Sequence, residues 1–229
     1  MLRPEDYFDL AGSGLEDLFA GVEYVWEALT RLEEWLVRLG PGRIEGEVSP
    51  GAWVGPGVSI GPGTIVEPGA FITGPTVIGA GCQIRHGAYV RGHCWIGPGC
   101  VVGHATELKR VVMFPGAAAP HLAYVGDSIL GRRVNLGAGV KTANLKNDRS
   151  EVVVVMGPER ISTGLVKFGA VIGDRTQLGC NCVTTPGTLI GPDSLVYPNV
   201  MLRGVYPRGR IVKGRGPVEV AERVLVESG

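Results

Sequence analysis

His121 is the residue of this chain best suited to proton chemistry. Pro120 precedes it, Tyr124 follows three residues later, and it stands just after a break in an otherwise regular sequence. Imidazole titrates near neutrality, so it can take a proton from an amine at the moment of reaction. A histidine at a break also serves structurally. Arg91 and Lys109 are eighteen residues apart, and each directly follows a large aliphatic residue, Val90 and Leu108. If the chain turns once every eighteen residues, they stack ~5 Å apart. Two stacked cations repel unless an anion lies between or beside them. A phosphate suits the pair, with Arg91 giving paired hydrogen bonds and Lys109 a point charge, and Arg85 nearby. The alternatives are that both splay into solvent or that Glu107 neutralises Lys109. His86 and His104 are also eighteen apart. Stacked, they form part of a zinc ligand set of the γ-carbonic anhydrase kind, but the spacing places no third ligand. Asn135 and Asn144 flank Leu136–Gly137–Ala138–Gly139, whose glycines let a ligand approach the backbone or suit a tight turn.

The spacing rule comes from the repeat. From Val48 onward every sixth residue is aliphatic: Val48, Val54, Ile60, Val66, Ile72, Ile78, Ile84, Val90, Ile96, Val102, Leu108, Phe114. A small side chain follows each four residues later, as in Ala52, Thr64, Ala70, Cys82, Ala88, Cys94 and Cys100. One large and one small inward residue per hexad is the sequence form of a parallel β-helix, three hexads to a coil. Strict six-residue steps with small corners describe its left-handed form, against the general preference for right-handed crossovers. The fold expected is mainly β: a left-handed parallel β-helix of hexapeptide repeats with an N-terminal amphipathic α-helix.

The period falters over residues 113–121 and is read again at Tyr124, Leu130, Leu136 and Thr142. A loop is expected to project near Pro115–Pro120. A second excursion spans 145–165, and the period returns at Val166, Ile172, Leu178 and beyond, a whole number of hexads later. The count comes close to eight coils, ~37 Å tall at ~4.8 Å each. Breaks in a smooth solenoid are where sites are built.

Residues 1–43 are not repetitive. Leu15, Leu18, Phe19, Val22, Val25, Trp26, Leu29, Leu32, Trp35, Leu36 and Leu39 recur at helical spacing, with Ser13 as a cap and Gly40–Pro41–Gly42 as a stop. They predict one helix of about 25 residues, a lid over the open first coil, or a dock for a partner protein. The domains expected are thus a helical cap over 1–43, the β-helix over 44–204, and a basic tail with a capping segment, Val218–Val226, over 205–229.

Formal net charge is zero, but residues 1–43 carry nine acids and four bases, so the remainder is mildly basic. That bias suits small anions and is too weak for nucleic acid. No run approaches the ~18 apolar residues of a membrane span, and no basic-then-apolar leader opens the sequence. A cytoplasmic location is expected. Cys82, Cys94, Cys100 and Cys182 fall on small inward positions and read as compact core residues.

Around these residues the chain resembles the acetyltransferase half of the bifunctional N-acetylglucosamine-1-phosphate uridyltransferase / glucosamine-1-phosphate acetyltransferase. The matching stretch runs Glu107–Leu–Lys–Arg, His121–Leu–Ala–Tyr–Val–Gly–Asp127, Arg133–Val–Asn–Leu–Gly–Ala–Gly139 and Asn144, with Gly173–Asp–Arg–Thr–Gln–Leu178 on a later coil. The resemblance implies an acetyl-CoA-dependent N-acetyltransferase of nucleotide-sugar biosynthesis, acting on an amino-sugar phosphate such as glucosamine 1-phosphate. His121 would be the general base and Glu107 would orient it. Arg91 and Lys109 would hold the phosphate, Tyr124 and Asn135 the sugar, and Asn144 the attacking amine. Ala138 would lie beside coenzyme A. No metal is expected, and such enzymes are homotrimers with sites between neighbouring prisms. A chain without the uridyltransferase half is expected, with the N-terminal helix in its place; Leu145 stands where the family has an aromatic residue, and the loop after Asn144 is about a dozen residues longer.

Arg203, Arg208, Arg210, Lys213 and Arg215 occur without an acid among them. In a trimer they could reach the phosphates of coenzyme A, Arg203 above all, or form an ordinary solvated tail. Two other readings stand beside the first. One is a sugar acyltransferase using acyl carrier protein, of the lipid A type. The other is a non-catalytic regulatory or scaffold protein that binds a sugar nucleotide, since the architecture hosts both.

Overall fold

The computed structural model describes residues 2–40 and 42–214. The hexad period becomes three walls of short parallel strands. Wall one is a nine-stranded ladder that includes Gln83–Ile84, Val101–His104, Ala118–His121, Asn135–Leu136 and Gln177–Leu178. Wall two includes Trp53–Val54, Phe71–Ile72, Tyr89–Val90, Lys141–Thr142, Val183–Thr184 and Met201–Leu202. Wall three includes Val58–Ile60, Thr76–Ile78, Cys94–Ile96, Ala170–Ile172 and Thr188–Ile190. Two strands, Glu107–Met113 and Tyr124–Leu130, run from wall two into wall three and join both into one fourteen-stranded sheet. The result is a parallel β-solenoid of about nine turns, consistent with the left-handed β-helix of hexapeptide repeats.

Inward residues form one continuous core, with Val66, Ile72, Ile84, Val90, Ile96, Val102 and Leu108 at most marginally exposed. Cys82, Cys94, Cys100 and Cys182 are buried free thiols in it. Burial pushes the Cys94 thiol up to about 12, which keeps it neutral and unreactive.

The first break is not a projecting loop. Tyr89 lies opposite Glu107, eighteen residues on, but Glu107 lies opposite Tyr124 and Tyr124 opposite Lys141, each seventeen on. The chain drops one residue where wall two meets wall three, first between Glu107 and Val112. The strand then runs through the corner, with Arg110 in the left-handed region. This slip moves the inward set by one. Met113 enters the core where Phe114 was expected, and Val125 enters where Tyr124 was expected. Tyr124 is left facing outward, half-buried.

The second excursion keeps the frame, as the spacing predicts: Lys141 lies opposite Val183 and Asn135 opposite Gln177. The excursion carries an antiparallel hairpin, Val153–Met156 and Glu159–Ser162, turning at Gly157. Val166 is exposed rather than inward, and the inward run resumes with Ala170 and Ile172. The solenoid also continues past 204, since Val205–Tyr206 and Ile211–Val212 pair with the coil before them. Arg215 and the segment Val218–Val226 lie outside the described residues, as does Pro41.

The expected single helix of residues 13–40 is broken. Short turns at Pro4–Asp6, Glu16–Phe19 and Val25–Glu27 precede one true helix, Ala28–Arg38. Ala20 turns to an extended conformation, which ends the helical path after Phe19, and Gly21 follows with a left-handed φ of 66°. Ser13 turns the chain locally, its hydroxyl accepting from the Leu15 N–H, rather than capping a long helix. Nor does this arm sit as a lid on the end coil. It lies along wall three, whose outward residues are apolar instead of alternating: Val77, Trp95, Val112, Ile129, Val171 and Leu189. Phe8 stacks on Phe114 at 4.5 Å, Trp26 meets Phe168 at 5.9 Å, and Trp35 meets Trp95 edge-on at 5.1 Å. The apolar face of the helix is thus buried against the chain's own wall. Among the described residues no helix is long and apolar enough to cross a membrane.

Candidate functional site

Tyr124 sits on the narrowed coil, and Gly126, two residues on, carries no side chain over the neighbouring wall. A Cβ there would lie 2.7 Å from both the Tyr124 hydroxyl and Asn144 Nδ2, so glycine makes room for both groups. The Tyr124 hydroxyl donates to Asn144 Oδ1 at 3.4 Å. Burial, reinforced by the carboxylates of Glu107 and Asp127, pushes the Tyr124 phenol up, so it stays a donor at neutral pH. Asn144 Nδ2 donates to Asp127 Oδ2.

Asp127 is the centre of this cluster and was not among the sequence candidates. It is fully buried, with a left-handed φ of 45°, a conformation aspartate tolerates better than most residues. Lys109 Nζ donates to both its carboxylate oxygens at 2.9 Å. The signal that could have found it is the eighteen-residue spacing from Lys109. The true register places Lys109 opposite Gly126, and the turned backbone at Asp127 closes the one-residue gap.

Arg91 does lie one coil from Lys109, since Val90 is opposite Leu108. The two cations do not wait free for a phosphate, however. Arg91 Nη1 donates to Glu107 Oε1 at 2.7 Å, and Lys109 is held by Asp127. Like-charge repulsion between neighbouring coils is relieved by an acid for each cation. Glu107, expected beside His121, is engaged by Arg91 instead.

His121 ends a wall-one strand, opposite His104, and Leu122 behind it takes a left-handed φ. It stands at the edge of wall two where the chain enters that wall; Arg91 and Lys109 flank the other edge. Its imidazole is exposed and has no hydrogen-bond partner among the described residues. Gly103 holds this corner tight, because a Cβ there would collide with the Pro120 carbonyl. His86 and His104 stack as expected, rings 5.6 Å apart, each Nδ1 turned to a backbone carbonyl of the coil before. Among the described residues no group of three or more His, Cys, Asp or Glu is gathered to hold a metal.

Asn135 and Ala138 are not brought to Tyr124 within one chain. Asn135 lies on wall one, opposite Ala118 and Gln177. Ala138 lies at the following corner, its carbonyl accepting from the Asn181 N–H at 2.8 Å. Arg203 is exposed at the far edge of wall two, away from Ala138. The other basic residues of that stretch are partly tied down. Arg208 pairs with Asp193 at 2.6 Å, and Lys213 lies over the Tyr197 ring.

A model of the bacterial transferase hexapeptide (six repeats) matches residues 75–110. A bifunctional sugar-1-phosphate nucleotidylyltransferase/acetyltransferase from Sulfurisphaera tokodaii is 39% identical over 109 residues, 48% of this chain and 27% of that protein. The bifunctional protein GlmU from Methanococcus maripaludis is 37% identical over 98 residues, 43% of this chain and 24% of that protein. The matched stretch thus spans about a quarter of the length of these relatives. Among solved structures, the acetyltransferase domain of PglB from Neisseria gonorrhoeae, in complex with acetyl coenzyme A, is 16% identical. It covers 79% of this chain and 60% of that one with a TM-score of 0.27, too low to carry an argument about chemistry.

Proposed function

We infer, for a chain whose hexapeptide repeat domain is homologous to the C-terminal acetyltransferase region of bifunctional GlmU-type proteins, that it is an acyltransferase. In this reading it moves the acetyl group of acetyl-CoA to the amine of an amino-sugar phosphate. The observation that carries it is the polar cluster Lys109–Asp127–Asn144–Tyr124, half-buried around the buried Asp127, built where the solenoid narrows and on the same wall that His121 borders.

An ammonium cannot attack a thioester. His121 takes its proton, and the freed lone pair attacks the acetyl carbonyl. The thioester C–S bond breaks as the new C–N bond forms, coenzyme A leaves as the thiol, and no acyl-enzyme is needed. Asn144 orients the amine, because its amide is itself fixed from both sides by Asp127 and Tyr124. Arg91 takes the sugar phosphate. Its bond to Glu107 is on the surface and exchanges at low cost, whereas Lys109 is locked on the buried Asp127 carboxylate and serves to hold that carboxylate in place under Asn144. Asn135 lies on wall one, so it serves a site completed by a second copy of the chain; Ala138, at the corner one coil on from His121, where the Gly139 N–H donates to the His121 carbonyl at 3.0 Å, lies beside the coenzyme arm. A homotrimer supplies that geometry.

The test is thiol release from acetyl-CoA against a panel of amino sugars and their phosphates, beside His121→Ala. Turnover that falls by about 10²–10⁴ in the variant, with unchanged melting, supports the reading. Turnover unaffected by the change, or no release with any amine, removes it.

A further inference from the structure

The hairpin that interrupts the repeat builds something the regular coils do not. Between it and the last coils of wall two lies a groove of about 710 Å³. That is within the ~300–1,000 Å³ of small-molecule sites. Strand alternation makes it apolar: Val152 and Val154 turn inward to the arm, so Val153 and Val155 line the groove. Val183, Pro186 and Met201 form its floor, and Met201 is 75% exposed, an unusual display of apolar surface on a wall otherwise half-covered. The base of the hairpin is fixed, with Glu151 accepting from the Gly164 N–H at 2.7 Å and Lys146 bonded to Ser150.

The rim is positive. Lys146 is answered by Asp148 at 3.4 Å, but Arg160, opposite Val155 in the hairpin, and Arg203 on the wall have no side-chain partner among the described residues. Two guanidiniums on the rim of an apolar floor offer paired hydrogen bonds and positive charge to a phosphate. The groove also adjoins the acceptor cluster. Ala143 and Leu145, either side of Asn144, line it, and Met201 lies two coils, ~10 Å, beyond Lys141 on the same wall.

We propose that this groove is a subsite for the phosphate-bearing end of a substrate with an apolar portion beside the phosphate, held by Arg160 and Arg203 over Val153, Val155, Val183 and Met201. The acyltransferase reading is needed only to name which substrate brings the phosphate, the coenzyme or an acceptor sugar carrying a nucleoside diphosphate.

The test is calorimetric titration of the full chain with inorganic pyrophosphate. Binding to the unaltered protein is expected, weakened about tenfold or more in the double variant Arg160→Gln/Arg203→Gln. Both arginines are exposed, so the variant is expected to fold, and its melting is measured alongside. Competition then identifies the source. Displacement by coenzyme A assigns the groove to the donor, and displacement by a nucleotide-linked amino sugar assigns it to the acceptor. Absence of pyrophosphate binding, equal binding by the double variant, or displacement by neither compound overturns the proposal. A chain that binds pyrophosphate as described but releases no thiol from acetyl-CoA would sink the acyltransferase reading alone.

Discussion

Lys109 reaches both carboxylate oxygens of Asp127 at 2.9 Å, and Asp127 is buried while Lys109 keeps partial access to solvent. The pair turns a stack of cations into a neutral floor and gives Asn144 its anchor. A carboxylate in that place, rather than substrate, is what satisfies the lysine.

Asp127→Ala removes that partner. Breaking a buried pair from one side costs about 3–5 kcal/mol, and the partial exposure of Lys109 lowers the expected loss to about 2–3 kcal/mol. Urea denaturation measures it. The double variant Lys109→Met/Asp127→Ala is expected to recover part of the loss, since no charge is then left unpaired. A single-variant loss below about 0.5 kcal/mol would show the pair to be ornamental.

Arg91→Ala separates phosphate recognition from the rest of the site. KM for a phosphorylated amino sugar is expected to rise about 10-fold or more, because a charge-assisted bond to phosphate is lost. KM for the unphosphorylated sugar stays put. Steady-state kinetics with the two acceptors decide; equal effects on both would remove Arg91 from the phosphate role.

The N-terminal arm is a second core layer on wall three. Phe8, buried and stacked on Phe114, is its most telling contact. Phe8→Ala is expected to cost about 3–5 kcal/mol if arm and solenoid unfold together. Limited proteolysis distinguishes that outcome from an arm that peels away alone, which would show early cuts before residue 43 and an unshifted main transition.

Asp174 receives the Arg132 N–H and the Asp9 N–H, and burial outweighs those bonds to push its carboxyl above the usual range. A raised folded-state pKa means that the native chain holds the proton more tightly than the unfolded one. This contribution to stability is present below the unfolded pKa and lost as pH rises through the raised folded value. Asp174→Asn removes the titration, so the stability difference between variant and unaltered protein is expected to shift in favour of the variant across that window. Denaturation midpoints from acid to neutral pH measure it; a flat difference would mean that Asp174 titrates normally.

The sequence by itself carries whatever repeats locally. A hexad needs one large and one small inward residue wherever it sits, so the solenoid, its core cysteines, the stacking of His86 on His104 and the closeness of Arg91 to Lys109 were all legible from spacing. The apolar series Val77, Trp95, Val112, Ile129 that marks where the arm lies was not legible in this way, because its last two steps are seventeen residues rather than eighteen. The tertiary structure alone decided the rest. A single omitted residue near Arg110 re-phases the next coil, putting Val125 and not Tyr124 in the core, because inward direction is counted along the chain but register is set by the coil below. It likewise gave Glu107 to Arg91 and Lys109 to Asp127, since pairing between charges depends on where a turned backbone delivers them. The groove under the hairpin belongs to the same class: it exists only once the hairpin that carries Val153 and Arg160 is laid beside Met201 and Arg203 of wall two, some forty residues on.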